Sequence, residues 1–198
     1  MVSLSNLVFG LSILATSAVA QFTLTVVHPD SPLDGLKVHA SAQAFYLGLS
    51  GPSTYCPSVV EPYCPDKTDT VFAGMGGMWV NVPGGQQTYV RADGVFGYTQ
   101  AHSAYVPEGA YRGGFVNVIL SGDCIEDVAV YTWQDPDGSE DDAGILACPD
   151  VPYYMNGTAT YQIYAKTPEF NLTNCVELGG LKPTAWPQNA GFGAWQYT

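Results

Sequence analysis

Apolar and polar residues alternate in short runs along most of the chain, and Gly, Pro, Asp or Asn ends each run within a few residues. A period of two with closely spaced turn residues is a strand signal, whereas helices repeat apolar positions every three to four residues. FTLTVV, Phe22–Val27, alternates most cleanly. The same reading predicts strands over residues 36–40, 44–47, 70–72, 78–82, 87–90, 95–98, 114–120, 128–133, 144–148 and 160–166, with a final apolar piece at 194–197. Pro83-Gly84-Gly85 and Ala92-Asp93-Gly94 supply the turns between the strands of residues 78–98. Tyr89 and Tyr98 are expected to pack across that hairpin. Ten or more short strands without a credible helix predict an all-β, single-domain, β-barrel-like antiparallel fold, with a β-sandwich or β-trefoil as alternatives.

Residues 1–20 break this pattern. MVSLSNLVFGLSILATSAVA has no charged side chain, an apolar core over residues 7–15, and Ala18-Val19-Ala20 at its end. It reads as a secretory signal peptide cut before Gln21, leaving residues 21–198 as one secreted β domain. No later stretch reaches the roughly 18 apolar residues of a membrane span, so no membrane partner is expected.

Composition narrows the partners. Charged residues make up 12% of the chain, where an average domain has about 25%. The 18 acidic and six basic residues give a net charge of −12, which disfavours nucleic acid and anionic membrane. Nine of the carboxylates lie between positions 123 and 150, and no Lys or Arg occurs between 113 and 165. That stretch would repel anionic partners.

Five cysteines, Cys56, Cys64, Cys124, Cys148 and Cys175, sit in a chain expected to enter an oxidising compartment. Spacing alone fixes no connectivity. Cys56 and Cys64 flank the short loop CPSVVEPYC and could close it, and Cys148 with Cys175 is the natural second pair, stabilising by about 3 kcal/mol. Cys124 is left unpaired, so a monomer or a Cys124-linked dimer is expected. The sequons at Asn156 and Asn171 mark candidate glycosylation sites on surface loops.

Chemistry is harder to find. In QDPDGSEDDAG, Asp135, Asp137 and Asp141 alternate as weak calcium candidates, but the EF-hand positions for Gly and Glu hold Glu140 and Leu146. A solvated hairpin connection turning at Asp137-Gly138 is the better reading, and no metal or other cofactor is assigned. Carboxylates in the 123–142 region, among them Asp123, Glu126 and Asp127, could serve a glycan hydrolase only if two faced each other across a cleft. No G-x-S-x-G elbow is present. His28, His39 and His102 are scattered, each with a plain reading as a hydrogen-bonded structural residue, so no catalytic residue is assigned. Trp79, Trp133, Trp186, Trp195, Tyr105, Tyr111, Tyr131, Tyr153 and Tyr154 are the best generic contact surface, although core is the better expectation for any one of them.

Six segments carry a family resemblance: VPGGQQTYVRADGVFGYTQAHSA at 82–104, AFYLG at 44–48, YCPS at 55–58, ILACP at 145–149, YQIYAK at 161–166 and AWQY at 194–197. Together they resemble small secreted proteins of filamentous fungi labelled IgE-binding, related to phialide-type cell-wall proteins and to hypersensitive-response-inducing elicitors. The resemblance implies a compact disulfide-stabilised β protein, secreted or held in the cell wall, known as antigen or elicitor rather than enzyme. It also supports the Cys56–Cys64 and Cys148–Cys175 pairing. The expected function is non-enzymatic binding of a host protein or a cell-wall polysaccharide, with a structural wall protein or a small glycan hydrolase as alternatives. The 82–104 stretch then reads as hairpin chemistry that identifies the family. The functional question moves to the acidic segment, which departs from it.

Overall fold

The computed structural model describes residues 21–65, 69–122, 125–138, 143–150 and 160–198. Among them are thirteen strands: β1 Phe22–Val27, β2 His39–Ser41, β3 Ala44–Leu47, β4 Thr54–Tyr55, β5 Thr88–Val90, β6 Phe96–Tyr98, β7 Phe115–Gly122, β8 Ile125–Trp133, β9 Ile145–Asp150, β10 Thr160–Ala165, β11 Val176–Leu178, β12 Gly180–Ala185 and β13 Gln196–Tyr197. The fold is all-β, and every pair of named strands is antiparallel. One sheet runs β1-β12-β8-β7, a second runs β11-β9-β10-β3-β6-β5 with β2 added to β3, and β13-β4 form a small third. Neither large sheet closes on itself among the described residues. The all-β antiparallel expectation holds, its barrel-like form only loosely, and the sandwich alternative describes two open sheets over one core more closely.

Rings fill that core. Phe45 of β3 lies 4.3 Å from Phe96, 5.2 Å from Phe72 and 5.3 Å from Tyr98, while Phe115 of β7 meets Phe96 of β6 at 4.6 Å and so joins the two sheets. Each fully buried ring contributes about 2–3 kcal/mol of apolar burial. Trp133 is wholly buried, with its indole N–H donating to the Gly113 carbonyl at 3.0 Å. The β1 burial pattern alternates strictly, as FTLTVV predicts for a strand with one face on the core.

Three strands went unread in the sequence, and β12 explains why. GLKPTA contains a proline and follows Gly179, both of which read as strand breakers. Pro183 sits opposite Leu24 of β1, but the Leu24 carbonyl accepts the Val38 N–H at 3.0 Å, on the side away from β12. No ladder bond is asked of Pro183 at that point. Gly180 is required for a different reason: a Cβ there would stand 2.5 Å from Val130 Cγ2, where β12 crosses close over β8. Conversely, the strands expected at 70–72 and 78–82 make only isolated bridges, Phe22 with Phe72, Phe72 with Met78 and Val80 with Ala194.

Both disulfides form as expected, Cys56–Cys64 with Cα atoms 6.0 Å apart and Cys148–Cys175 at 4.1 Å. The second ties β9 to the chain entering β11, its neighbour in the sheet. The connection after β8 is not the turn of a β8–β9 hairpin, because those strands belong to different sheets. It leaves through a bridge between Gln134 and Ala143, and Asp135 organises its first turn by accepting the Asp137 N–H at 2.9 Å.

Candidate functional site

The turn between β2 and β3 is Ala42-Gln43, and both residues are left-handed, with φ of 49° and 62°. Such a turn normally takes Asn or Gly, so a side chain held there costs energy that surrounding contacts must offset. Those contacts are present. The Ala42 N–H donates to the Thr198 carbonyl at 2.9 Å, and the Gln43 carbonyl accepts the Tyr98 N–H at 3.2 Å. Gly97 leaves room for the same carbonyl, since a Cβ there would stand 2.7 Å from it. The Tyr98 hydroxyl donates to the Thr198 carbonyl at 3.2 Å, and burial raises its pKa so that it stays a neutral donor. The turn is thus fixed from below by β6 and by Thr198.

Facing this turn is the outer side of the β5–β6 hairpin. Thr88 pairs with Tyr98, so Tyr89 lies opposite Gly97 and points to the other face. The expected packing of Tyr89 on Tyr98 across the hairpin is corrected by that one-residue register: Tyr98 enters the core while Tyr89 turns to the cleft. The cleft has a volume of about 330 Å³, with Tyr46, Tyr89 and Tyr105 supplying rings and Gln43, Gln100 and Gln162 supplying amides. Arg91, Ser103 and Pro107 complete most of its rim. A second cleft of about 460 Å³ adjoins it and shares Ser103, with Gly84, Gly85, Gln87, Thr99 and His102 around it. Neither lining contains a carboxylate or a lysine among the described residues.

Arg91 is ion-paired with Asp93 at 2.7 Å, whereas Arg112, beside the second cleft, donates to the neutral amide oxygen of Gln87 at 2.6 Å. Burial raises the Tyr89 pKa, with Arg91 acting against the shift and Tyr105 with it. The phenol is therefore a neutral hydrogen-bonding group. Ser103 Oγ accepts the Tyr105 N–H at 3.1 Å, which sets the loop that carries the exposed Tyr105 ring.

Two of the resembling segments meet beneath this site. Gln86, 3% exposed, donates through Nε2 to the carbonyls of Thr99 at 2.9 Å and Tyr197 at 3.0 Å, and its Oε1 accepts the Tyr197 N–H at 2.8 Å. The Tyr197 hydroxyl in turn accepts the Val71 N–H and donates to the Asp69 carbonyl, both at 2.9 Å. PGGQQ and AWQY are thus one buried clamp. It places Thr198 where the Ala42-Gln43 turn needs an acceptor.

The other candidates fall apart in space. Trp79 and Trp186 both donate their indole N–H to the Gly191 carbonyl at 2.9 Å, and Trp79 also packs on Phe192 at 4.7 Å, so the aromatic tail folds back on the body. Tyr111 stands edge-on to Trp133 at 5.3 Å. Of the nine aromatics read as a contact surface, only Tyr105 lines the cleft, while Tyr153 and Tyr154 lie outside the described residues. Cys124, Asp123, Asp141, Asn156 and the signal-peptide reading at 1–20 also lie outside them; Asn171 is exposed. Asp135 is 7% exposed and its Oδ1 is engaged in the turn described above, and no cluster of three metal-ligating side chains occurs among the described residues. His102 is exposed, left-handed at φ 62°, and lines the second cleft. His39 departs from its plain reading, being buried with no hydrogen-bond partner for Nδ1.

Sequence reasoning missed the cleft because its residues come from three separated stretches, around positions 42–46, 89–107 and 162. The available signal was the 82–104 block, which was assigned to turn chemistry alone. Fold and site define an all-β sandwich held by two disulfides, with a cleft equipped for contact through rings and amides. The family model of PhiA-like secreted proteins matches residues 22–198, and the chain belongs to that family. A protein of Arthroderma benhamiae described as an uncharacterized secreted protein is 37% identical over 191 residues, which cover 93% of this chain and 90% of that one. No solved structure matches the chain. The protein is secreted and fungal in type, and the resemblance read from the sequence holds at that level.

Proposed function

We propose that this secreted fungal protein is non-enzymatic and acts at the hyphal surface or host interface by binding, with the paired clefts as its binding site. One observation carries the reading: the two clefts formed largely by the 82–104 block contain no carboxylate among the described residues of their linings, in a chain with 18 carboxylates. A glycan hydrolase needs two carboxyl groups facing each other across its site. Antigen or elicitor behaviour would then be a host's response to a durable, disulfide-linked surface protein. The test is capture of purified protein on intact fungal walls and on isolated wall polysaccharides. Saturable capture with no soluble sugar released is the expected result, and sugar release lost on changing one carboxylate would overturn it.

A second reading rests on another surface. Tyr55, Val59 and Tyr63 are 54%, 86% and 74% exposed around the loop closed by Cys56–Cys64, and rings on a tied loop can anchor a protein partner. Host-protein capture abolished by V59S/Y63S, with wall binding intact, would favour it.

A further inference from the structure

We infer that the ligand of the cleft is a neutral glycan chain, read by rings and amides rather than by charge; this rests on the reading that the cleft is the binding site. The first argument is chemical. A sugar presents apolar C–H faces and hydroxyl groups that both donate and accept. Tyr105, 73% exposed and next to Pro107 on the rim, offers a ring face, with Tyr46 and Tyr89 deeper in. Gln43, Gln100 and Gln162 bring side-chain amides, each of which carries donors and an acceptor in one group, although Gln162 Oε1 already accepts the Tyr164 hydroxyl at 3.1 Å. That pairing of ring and amide suits a hydroxylated ring better than an apolar or a charged ligand.

Charge argues the same way by exclusion. An anionic polymer would meet a net charge of −12, with Arg91 in the cleft already paired with Asp93 and Arg112, beside the second cleft, the cation left to it. A cationic polymer would find no carboxylate among the described residues of either lining. A neutral polymer pays neither penalty.

An extended peptide is the neutral competitor, and it would bind best by adding a strand to an open sheet edge. The edge beside the cleft is β5, and it is occupied: Val90 N–H donates to the Tyr111 carbonyl at 2.9 Å and Tyr111 N–H to the Val90 carbonyl at 2.7 Å. Side chains, not an open ladder, face the ligand. The left-handed Ala42-Gln43 turn, held by Tyr98, Gly97 and Thr198, fixes Gln43 before the ligand arrives and so reduces the ordering cost of binding. Because the first cleft is at the small end of the range for ligand sites, about 300–1,000 Å³, and the second shares Ser103 with it, the ligand is a chain crossing Ser103 rather than a single sugar.

The experiment titrates the full secreted protein with neutral hexasaccharides of glucose, mannose and N-acetylglucosamine, with hexagalacturonate, and with the glucosamine hexamer. Backbone NMR shifts and calorimetry are the readouts. At least one neutral hexasaccharide is expected to bind and shift the signals of Gln43, Ser103 and Tyr105, and its monosaccharide to bind far more weakly. Tyr105→Ala, at an exposed site, should weaken binding by about tenfold. Binding of a charged hexamer alone would overturn the neutral-glycan inference while leaving the cleft as the site. No shift at the cleft with any hexasaccharide would overturn it too. If wall and host extracts also left those signals unmoved, the binding reading itself would fall.

Discussion

Two regions of this molecule make opposite impressions. Residues 113–165 carry half of the carboxylates and no cation, and the eye goes there first. Residues 82–104 look like turns and small residues. In space the ranking reverses. The described part of that segment is the β7–β8 hairpin, strands β9 and β10 of the other sheet, and a turn in which Asp135 spends an oxygen on a backbone N–H; Gln162 of β10 is what it contributes to the cleft. The 82–104 block instead supplies most of the lining of two adjoining clefts and, through Gln86, the clamp that holds Tyr197 and Thr198 beneath them. A conspicuous composition describes how a segment meets solvent. Convergence of ordinary side chains is what makes a site.

The comparison breaks most sharply at Gln86. Replacing it by Leu leaves the Thr99 carbonyl and both backbone groups of Tyr197 without their partners. Each buried orphan costs about 1–3 kcal/mol, so a loss of about 3–6 kcal/mol is expected in urea unfolding. Glycan binding should fail with it, because Thr198 follows Tyr197 and accepts the Ala42 N–H. A loss below about 1 kcal/mol would show that the clamp is not what supports the cleft.

Removing Cys148–Cys175 by C148A/C175A tests the other region. The expected cost is about 3 kcal/mol by loop closure. Under conditions where the variant stays folded, ligand binding should weaken only modestly, since Cys148 lies opposite the cleft residue Gln162 in the β9–β10 ladder while the β5–β6 side of the cleft is untouched. Equal damage to binding would mean the two regions are mechanically one.

How much of this could be read from the chain depends on whether the cause is local. Alternation in FTLTVV is local, so β1 was legible to the residue, as was β3. β12 was not, because what tolerates Pro183 is the direction of the Leu24 carbonyl on another strand. The cleft was illegible for the same reason. Ala42-Gln43 has no turn residue to announce it, and its left-handed geometry is set by Tyr98, Gly97 and Thr198, some 50 to 150 positions later. Tyr89 is the smallest case: one residue of register between β5 and β6 decides whether its ring packs beside Tyr98 in the core or buries itself in the wall of the cleft.

A gentler probe asks whether the acidic segment has any ionic role. Asp135→Asn keeps the side-chain oxygen that accepts the Asp137 N–H but removes the charge. Stability should change by less than about 0.5 kcal/mol. Thermal unfolding with and without millimolar calcium then gives the discriminating result. A calcium-dependent rise in Tm that Asp135→Asn removes would return a site to this segment, whereas an unchanged Tm keeps it a solvated connection.

pH separates the two regions most finely. His39, in β2 and therefore on the hairpin that carries Gln43, has its pKa lowered below the ordinary 6.5 by burial, with Lys37 adding to the shift and Asp69 opposing it. Below 6.5 the unfolded chain takes up a proton there that the folded chain resists. Stability from this residue is therefore complete above that value and is lost as pH falls through it. Urea midpoints between about pH 7.5 and 5.5 should fall in the native protein and stay flatter in His39→Gln. The same acid step should weaken ligand binding at the cleft before it unfolds the chain, because β2 and β3 hold the Ala42-Gln43 turn between them. A slope unchanged by His39→Gln would place the sensitivity elsewhere and detach the cleft from this buried imidazole.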